Sequence, residues 1–160
     1  MDRNLKPVER EVLYRYFGDS LDPAGINVDR LRLAPRPWSP LGGRIRLYPR
    51  HFKGGDPAKE IRVDDPPTCS VFLHEAVHVW QRQHGELVSF RGFLLQCVYA
   101  AGVDVYRYDT GLTDPGDMLR HFLLANLEQQ GAMVQAMVYR DMTGMDGTVY
   151  GGIREYLKCR

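Results

Sequence analysis

The sequence predicts an α+β fold in which a small N-terminal sheet precedes long helices. Two observations carry that expectation. Before residue 50, short stretches alternate apolar and charged side chains; after residue 68, apolar residues recur at helical spacing over much longer runs. Strands first and helices later are the mark of segregated α+β architecture. The length, 160 residues, suits one domain over 1–160 with its own core.

A first helix is expected over Pro7 to Phe17, because Pro7 fits a first helical position, Val8, Val12 and Tyr16 recur at i,i+4, and Gly18 can end it. Leu31 and Leu33 alternate with Arg30 and Arg32, and Ile45 and Leu47 with Arg44 and Arg46; these read as half-buried strands separated by the breaker-rich run Pro35 to Gly43. Asp56 to Pro67 reads as a loop. Thr68 then caps a helix through Phe72, Ala76 and Trp80 to about His84, with Gly85 as its stop. Leu87, Phe90, Leu94, Cys97 and Ala101 suggest another helix, and Val103 to Tyr108 a strand. Asp114-Pro115-Gly116-Asp117 starts a helix expected to run from about Asp117 to Tyr139, and a short helix is expected near Ile153 to Lys158.

Composition narrows the function classes. Hydrophobic residues make up 44% and charged residues 26%, an ordinary globular mixture, and 21 basic against 20 acidic side chains leave a formal charge of +1. Neither a nucleic acid nor an anionic membrane is expected as partner. No apolar stretch approaches the ~20 residues that span a bilayer. Met1 to Lys6 is not followed by a signal-like apolar run, so cytoplasmic synthesis is expected, with export by a signal-independent route as the alternative. Cys69, Cys97 and Cys159 lack paired metal spacing and read as reduced thiols.

The chemistry concentrates in His74-Glu75-Ala76-Val77-His78. On a helix, residues four apart lie about 40° apart around the axis and about 6 Å apart along it. Both imidazoles therefore project from one face and can hold one Zn²⁺. Glu75, displaced by about 100°, does not compete as a ligand and can act as general base on a water that the metal activates. The surrounding Val71, Phe72, Leu73, Ala76, Val77, Val79 and Trp80 make the helix apolar nearly all round, so its polar residues need partners.

A hydrolytic site requires a third protein ligand. His84 lies ten residues after His74, but an unbroken helix through Gln81 turns it about 280° away. Glu128, in a helix where an unpaired carboxylate would be costly, has the small neighbours Ala125, Gly131 and Ala132, which permit close approach of another helix; it is the preferred third ligand. Gln81 returns to the metal side and can make an outer-shell contact. His121, Tyr139 and Tyr150 are candidates for stabilising the oxyanion.

Phe72 to Gln81, followed by Asn126-Leu127-Glu128-Gln129-Gln130, resembles small bacterial zincin-like metallopeptidase domains of the gluzincin kind, some of them Vgr-related or Rhs-associated and parts of type VI secretion effectors; Phe17-Gly18-Asp19 and Leu21-Asp22 also look like theirs. The resemblance implies a zincin-like fold, a His74-His78-Glu128 zinc site with Glu75 catalytic, a polypeptide substrate, a toxin or effector role, and a secretion-apparatus or immunity-protein partner. The thermolysin-like pattern has an Asp four residues after its ligand Glu. Here that position is Ala132, leaving the outer-shell partner of one histidine unassigned. Zinc-dependent peptide-bond hydrolysis is the expected function; the alternatives are hydrolysis of a non-peptide or cell-wall amide bond, and a non-catalytic zinc-binding interaction domain.

Overall fold

The computed structural model describes residues 2–31, 43–86, 94–95, 97–99 and 101–160. Among the described residues, the sheet has three short strands in the order β1 (Arg3–Asn4), β2 (Asn27–Arg30) and β3 (Arg44–Leu47). β1 pairs antiparallel with β2, Arg3 opposite Val28, and β2 pairs parallel with β3, Val28 opposite Ile45. Val28, Ile45 and Leu47 turn into the core, as the alternation at Ile45 and Leu47 requires. The first predicted strand is displaced. β2 ends at Arg30, and Leu31, its N–H bonded to Leu47 O at 2.8 Å, follows it. Leu33 and most of the Pro35 to Gly43 run lie outside the described residues.

Helix α1 (Pro7–Phe17) has the predicted bounds. The carboxylate of Glu9 accepts from Lys6 N (2.7 Å) at the helix start, from Arg3 Nη2 and Nη1 (2.6 and 2.8 Å) on β1, and from Ile61 N (2.7 Å). Glu9 is thereby fully buried yet satisfied, and it locks α1 to the sheet.

Helix α2 (Pro66–Gln83) begins earlier than the sequence suggests. Asp65, not Thr68, is the N-cap, accepting from Thr68 N at 3.1 Å, and both prolines occupy the first turn, where a missing N–H costs nothing. The helix expected over Leu87 to Ala101 falls largely outside the described residues. Val103 to Tyr108 is not a strand: Asp104 Oδ1 accepts from Tyr106 N at 3.0 Å and folds the segment into a turn.

The predicted long helix is two helices. α3 (Pro115–Leu124) has Asp114 as its cap; Ala125 is extended; α4 (Leu127–Thr143) starts anew. The break arises because Asn126 and Gln129 form a reciprocal cap, Gln129 N to Asn126 Oδ1 at 2.9 Å and Asn126 N to Gln129 Oε1 at 3.0 Å. α5 (Gly151–Cys159) closes the chain. Among the described residues, α2 and α4 make the most extensive contact of any pair of elements. Phe72, Leu73, Val77 and Trp80 meet Met133, Val134, Met137 and Val138 in one core. That pairing carries the site.

Candidate metal centre

Both histidines and Glu75 come from the middle of α2, whose apolar surroundings bury them: His74, Glu75 and His78 are 8%, 5% and 7% exposed. Glu128 comes from the first turn of α4, not from a helix interior, because of the break at Asn126. Glu128 Oε2 lies 3.4 Å from His74 Nε2 and 3.5 Å from His78 Nε2. These distances exceed the roughly 2.7–3.2 Å of a good N–H···O bond. They match the edge of a tetrahedron whose ligands stand at about 2.0–2.1 Å from zinc, which is about 3.3 Å. The donor set is therefore compatible with a divalent metal ion as well as with direct pairing of the carboxylate to the imidazoles. His74, His78 and Glu128 form a cluster that could hold one metal ion.

The remaining ring nitrogens are also positioned. His78 Nδ1 faces Gln81 Oε1 at 2.9 Å, and His74 Nδ1 faces Gln135 Oε1 at 3.2 Å. Gln81 is held in that sense by its own amide, which donates to Gln130 Oε1 (2.7 Å) and Leu127 O (3.3 Å); Gln130 in turn donates to Phe122 O (2.9 Å). With Oε1 as the acceptor, each imidazole donates from Nδ1, which leaves Nε2 as the nitrogen a metal would take. Gln81 thus lies on the His78 side of its helix, as its spacing suggested. Gln135 supplies the partner that Ala132 cannot; it lies seven residues after Glu128 on the same helix face, one turn beyond the position expected to hold an Asp. Gly131, between them, leaves room for the His74 ring.

Electrostatics follow from crowding two imidazoles and two carboxylates in a buried space. Burial alone disfavours a charged His78, but the facing Glu128 carboxylate and the nearby Glu75 outweigh it and push its pKa up to about 9. Burial likewise favours a neutral Glu128, yet the two imidazoles hold its carboxyl well below the usual range. Glu75 is pushed up by burial, with His74 and His78 opposing and Glu128 reinforcing the shift. Its Oε2 has no hydrogen-bond partner among the described residues. A fully buried carboxylate oxygen left in that state is costly unless a ligand or water completes it.

The other candidates have contacts of their own. His84 ends α2, its Nδ1 2.8 Å from Trp80 O and its ring 4.7 Å from the Trp80 ring. His121 is on α3, separated from Glu128 by the helix break, and its Nε2 accepts from Asp109 N at 3.4 Å. Tyr150 shares a 3.0 Å hydrogen bond with Tyr108 through their hydroxyls, and Tyr139 stands about 16 Å beyond Glu128 along α4. The aromatic residue beside the cluster is instead Tyr106, its ring centroid 6.3 Å from that of His74. Its place is hidden in the sequence, where Val103 to Tyr108 reads as a strand.

Two comparisons relate this chain to known proteins, one in sequence and one in fold. In sequence it is similar to the type VI secretion system spike protein VgrG2b of Pseudomonas aeruginosa, with 29% identity over 138 residues. The match takes in 83% of this chain but only 12% of that protein's length. In structure it shares the fold of the effector domain of Pseudomonas aeruginosa VgrG2b, with a TM-score of 0.68 at 24% identity over 93% of this chain and 80% of that one. No protein-family model matches the chain. No helix among the described residues is long and apolar enough to cross a membrane.

Proposed function

We propose that this chain is a zinc-dependent peptidase of zincin-like fold that serves as a type VI secretion effector. The observation that carries the reading is the conjunction of three potential ligand atoms within 4.8 Å of one another with a buried carboxylate, Glu75, whose Oε2 has no partner among the described residues, on the residue after His74. A purely structural site would close with a fourth protein ligand, and among the described residues no fourth histidine, cysteine or carboxylate joins the triad. Similarity to a VgrG2b segment in sequence, and in fold to the VgrG2b effector domain, supports the effector assignment.

His74, His78 and Glu128 would hold the ion, with Gln135 and Gln81 fixing the two imidazoles. Bound zinc lowers the pKa of a coordinated water to about 7 and polarises a carbonyl oxygen. Glu75, raised in pKa by burial, takes the proton from the attacking water and returns it to the leaving amine. The apolar packing around α2 keeps bulk water from competing for that carboxylate.

The test is digestion of a fluorescent casein and of purified peptidoglycan by zinc-loaded wild type and Glu75→Gln. Casein cleavage by wild type alone supports the reading. Cleavage of peptidoglycan alone would move the protein to cell-wall amide hydrolysis, and no turnover of either by a zinc-loaded wild type would count against catalysis. Periplasmic expression in a bacterial host should arrest growth with wild type and not with Glu75→Gln; equal growth would remove the effector role.

A further inference from the structure

We propose that Tyr106 donates a hydrogen bond from its hydroxyl to the scissile carbonyl oxygen of the substrate, an assignment that rests on the peptidase reading above. Its ring stands beside that of the ligand His74, inclined by 40°, and the residue is half-exposed, so it borders both the metal cluster and solvent. A phenol is a neutral O–H donor, the type of group that stabilises charge developing on a carbonyl oxygen.

The way Tyr106 is held points to the same role. The two residues that form the reciprocal cap of α4, Asn126 and Gln129, flank Glu128. Each uses its amide oxygen for the cap and its amide nitrogen for the Tyr106 segment: Asn126 Nδ2 donates to Val105 O at 3.1 Å, and Gln129 Nε2 donates to Arg107 O at 2.7 Å. The carbonyls on either side of Tyr106 are therefore tied to the residues on either side of the ligand Glu128. Asp104 fixes the Tyr106 N–H, Val105 is buried, and Tyr99 packs edge-on against the Tyr106 ring at 5.7 Å. A donor must be aligned before the charge develops, because reorganising it during the reaction forfeits the benefit. Two amides that tie the backbone on either side of Tyr106 to the Glu128 turn, with Tyr99 packed on the ring, serve that requirement.

The experiment compares Tyr106→Phe, Tyr106→Ala and Glu75→Gln with wild type in zinc content, in casein hydrolysis and in the inhibition constant of a peptide phosphonamidate, whose tetrahedral oxygens imitate the transition state. Tyr106→Phe should keep one zinc per chain and a near wild-type KM, lose about 10²-fold in kcat, and bind the phosphonamidate about 10²-fold more weakly. Wild-type kcat and inhibitor affinity in Tyr106→Phe would overturn the proposal. So would loss of zinc from that variant, since the residue would then act by supporting the metal. Glu75→Gln separates the two levels: if it is as active as wild type the peptidase mechanism fails, whereas an inactive Glu75→Gln beside a fully active Tyr106→Phe defeats the Tyr106 assignment alone.

Discussion

Gly131 on α4 faces the ring of His74 on α2 so closely that a Cβ added at Gly131 would lie 2.8 Å from both Cε1 and Nε2 of the imidazole. Carbon atoms do not approach a ring that closely, and the ring cannot retreat without leaving Glu128 and Gln135. The absent side chain is what lets the first turns of α4 come near enough for Glu128 to reach both histidines.

Gly131→Ala should therefore displace the metal site rather than simply crowd the core. The overpacking cost expected is about 1–3 kcal/mol, visible as a fall in Tm. Zinc content after mild chelation should fall with it. A stable variant that holds zinc as wild type does would mean that the helices can separate without cost.

Glu75→Gln should bind about one zinc per chain and melt as wild type does, because Glu75 ligates nothing and its amide replacement is nearly isosteric. Hydrolysis should drop by about 10²–10⁴-fold. Near-normal turnover would remove Glu75 from the mechanism.

Glu128→Ala and His84→Ala discriminate the third ligand. The first should lose zinc to a weak chelator; the second, whose imidazole is occupied at the end of α2 against Trp80, should retain it. Metal analysis after dialysis reads both, and the opposite pattern would reassign the site.

Gln135→Leu removes the acceptor for His74 Nδ1 while filling similar volume. Zinc affinity should weaken by about 10–100-fold, with the ligands untouched. Competition with a fluorescent chelator measures this directly, and unchanged affinity would show that Gln135 does not orient His74.

Zinc uptake should release a proton. In the metal-free protein His78 titrates near 9, above its ordinary 6.5, so the stabilisation it draws from Glu128 is complete below about pH 6.5 and disappears as pH rises through about 9. At pH 7.5 the ring is protonated, and the metal must displace the Nε2 proton while Gln81 retains the one on Nδ1. Calorimetric titration in buffers of different ionisation enthalpy should give about one proton released per zinc; none released would mean that His78 is already neutral.

Features that depend on local helical geometry were legible in the chain before any tertiary contact. The four-residue spacing of His74 and His78 puts them on one face wherever the helix lies, and the same period puts Glu75 off it. The small residues after Glu128 marked a place where two helices could meet. The break between α3 and α4 was legible too, in Asn126-x-x-Gln129, but the apolar run across it suggested one continuous helix and hid the cap. Tertiary structure alone decided the partners that arrive from elsewhere in the chain. Gln135 meets His74 from 61 residues away, Gln130 braces Gln81 from 49, and Tyr106 is tied to the Glu128 turn from about 20. The physical reason is that an imidazole's orientation and a donor's alignment are set by hydrogen bonds between separate elements, and no periodicity within one element specifies which amide will lie opposite.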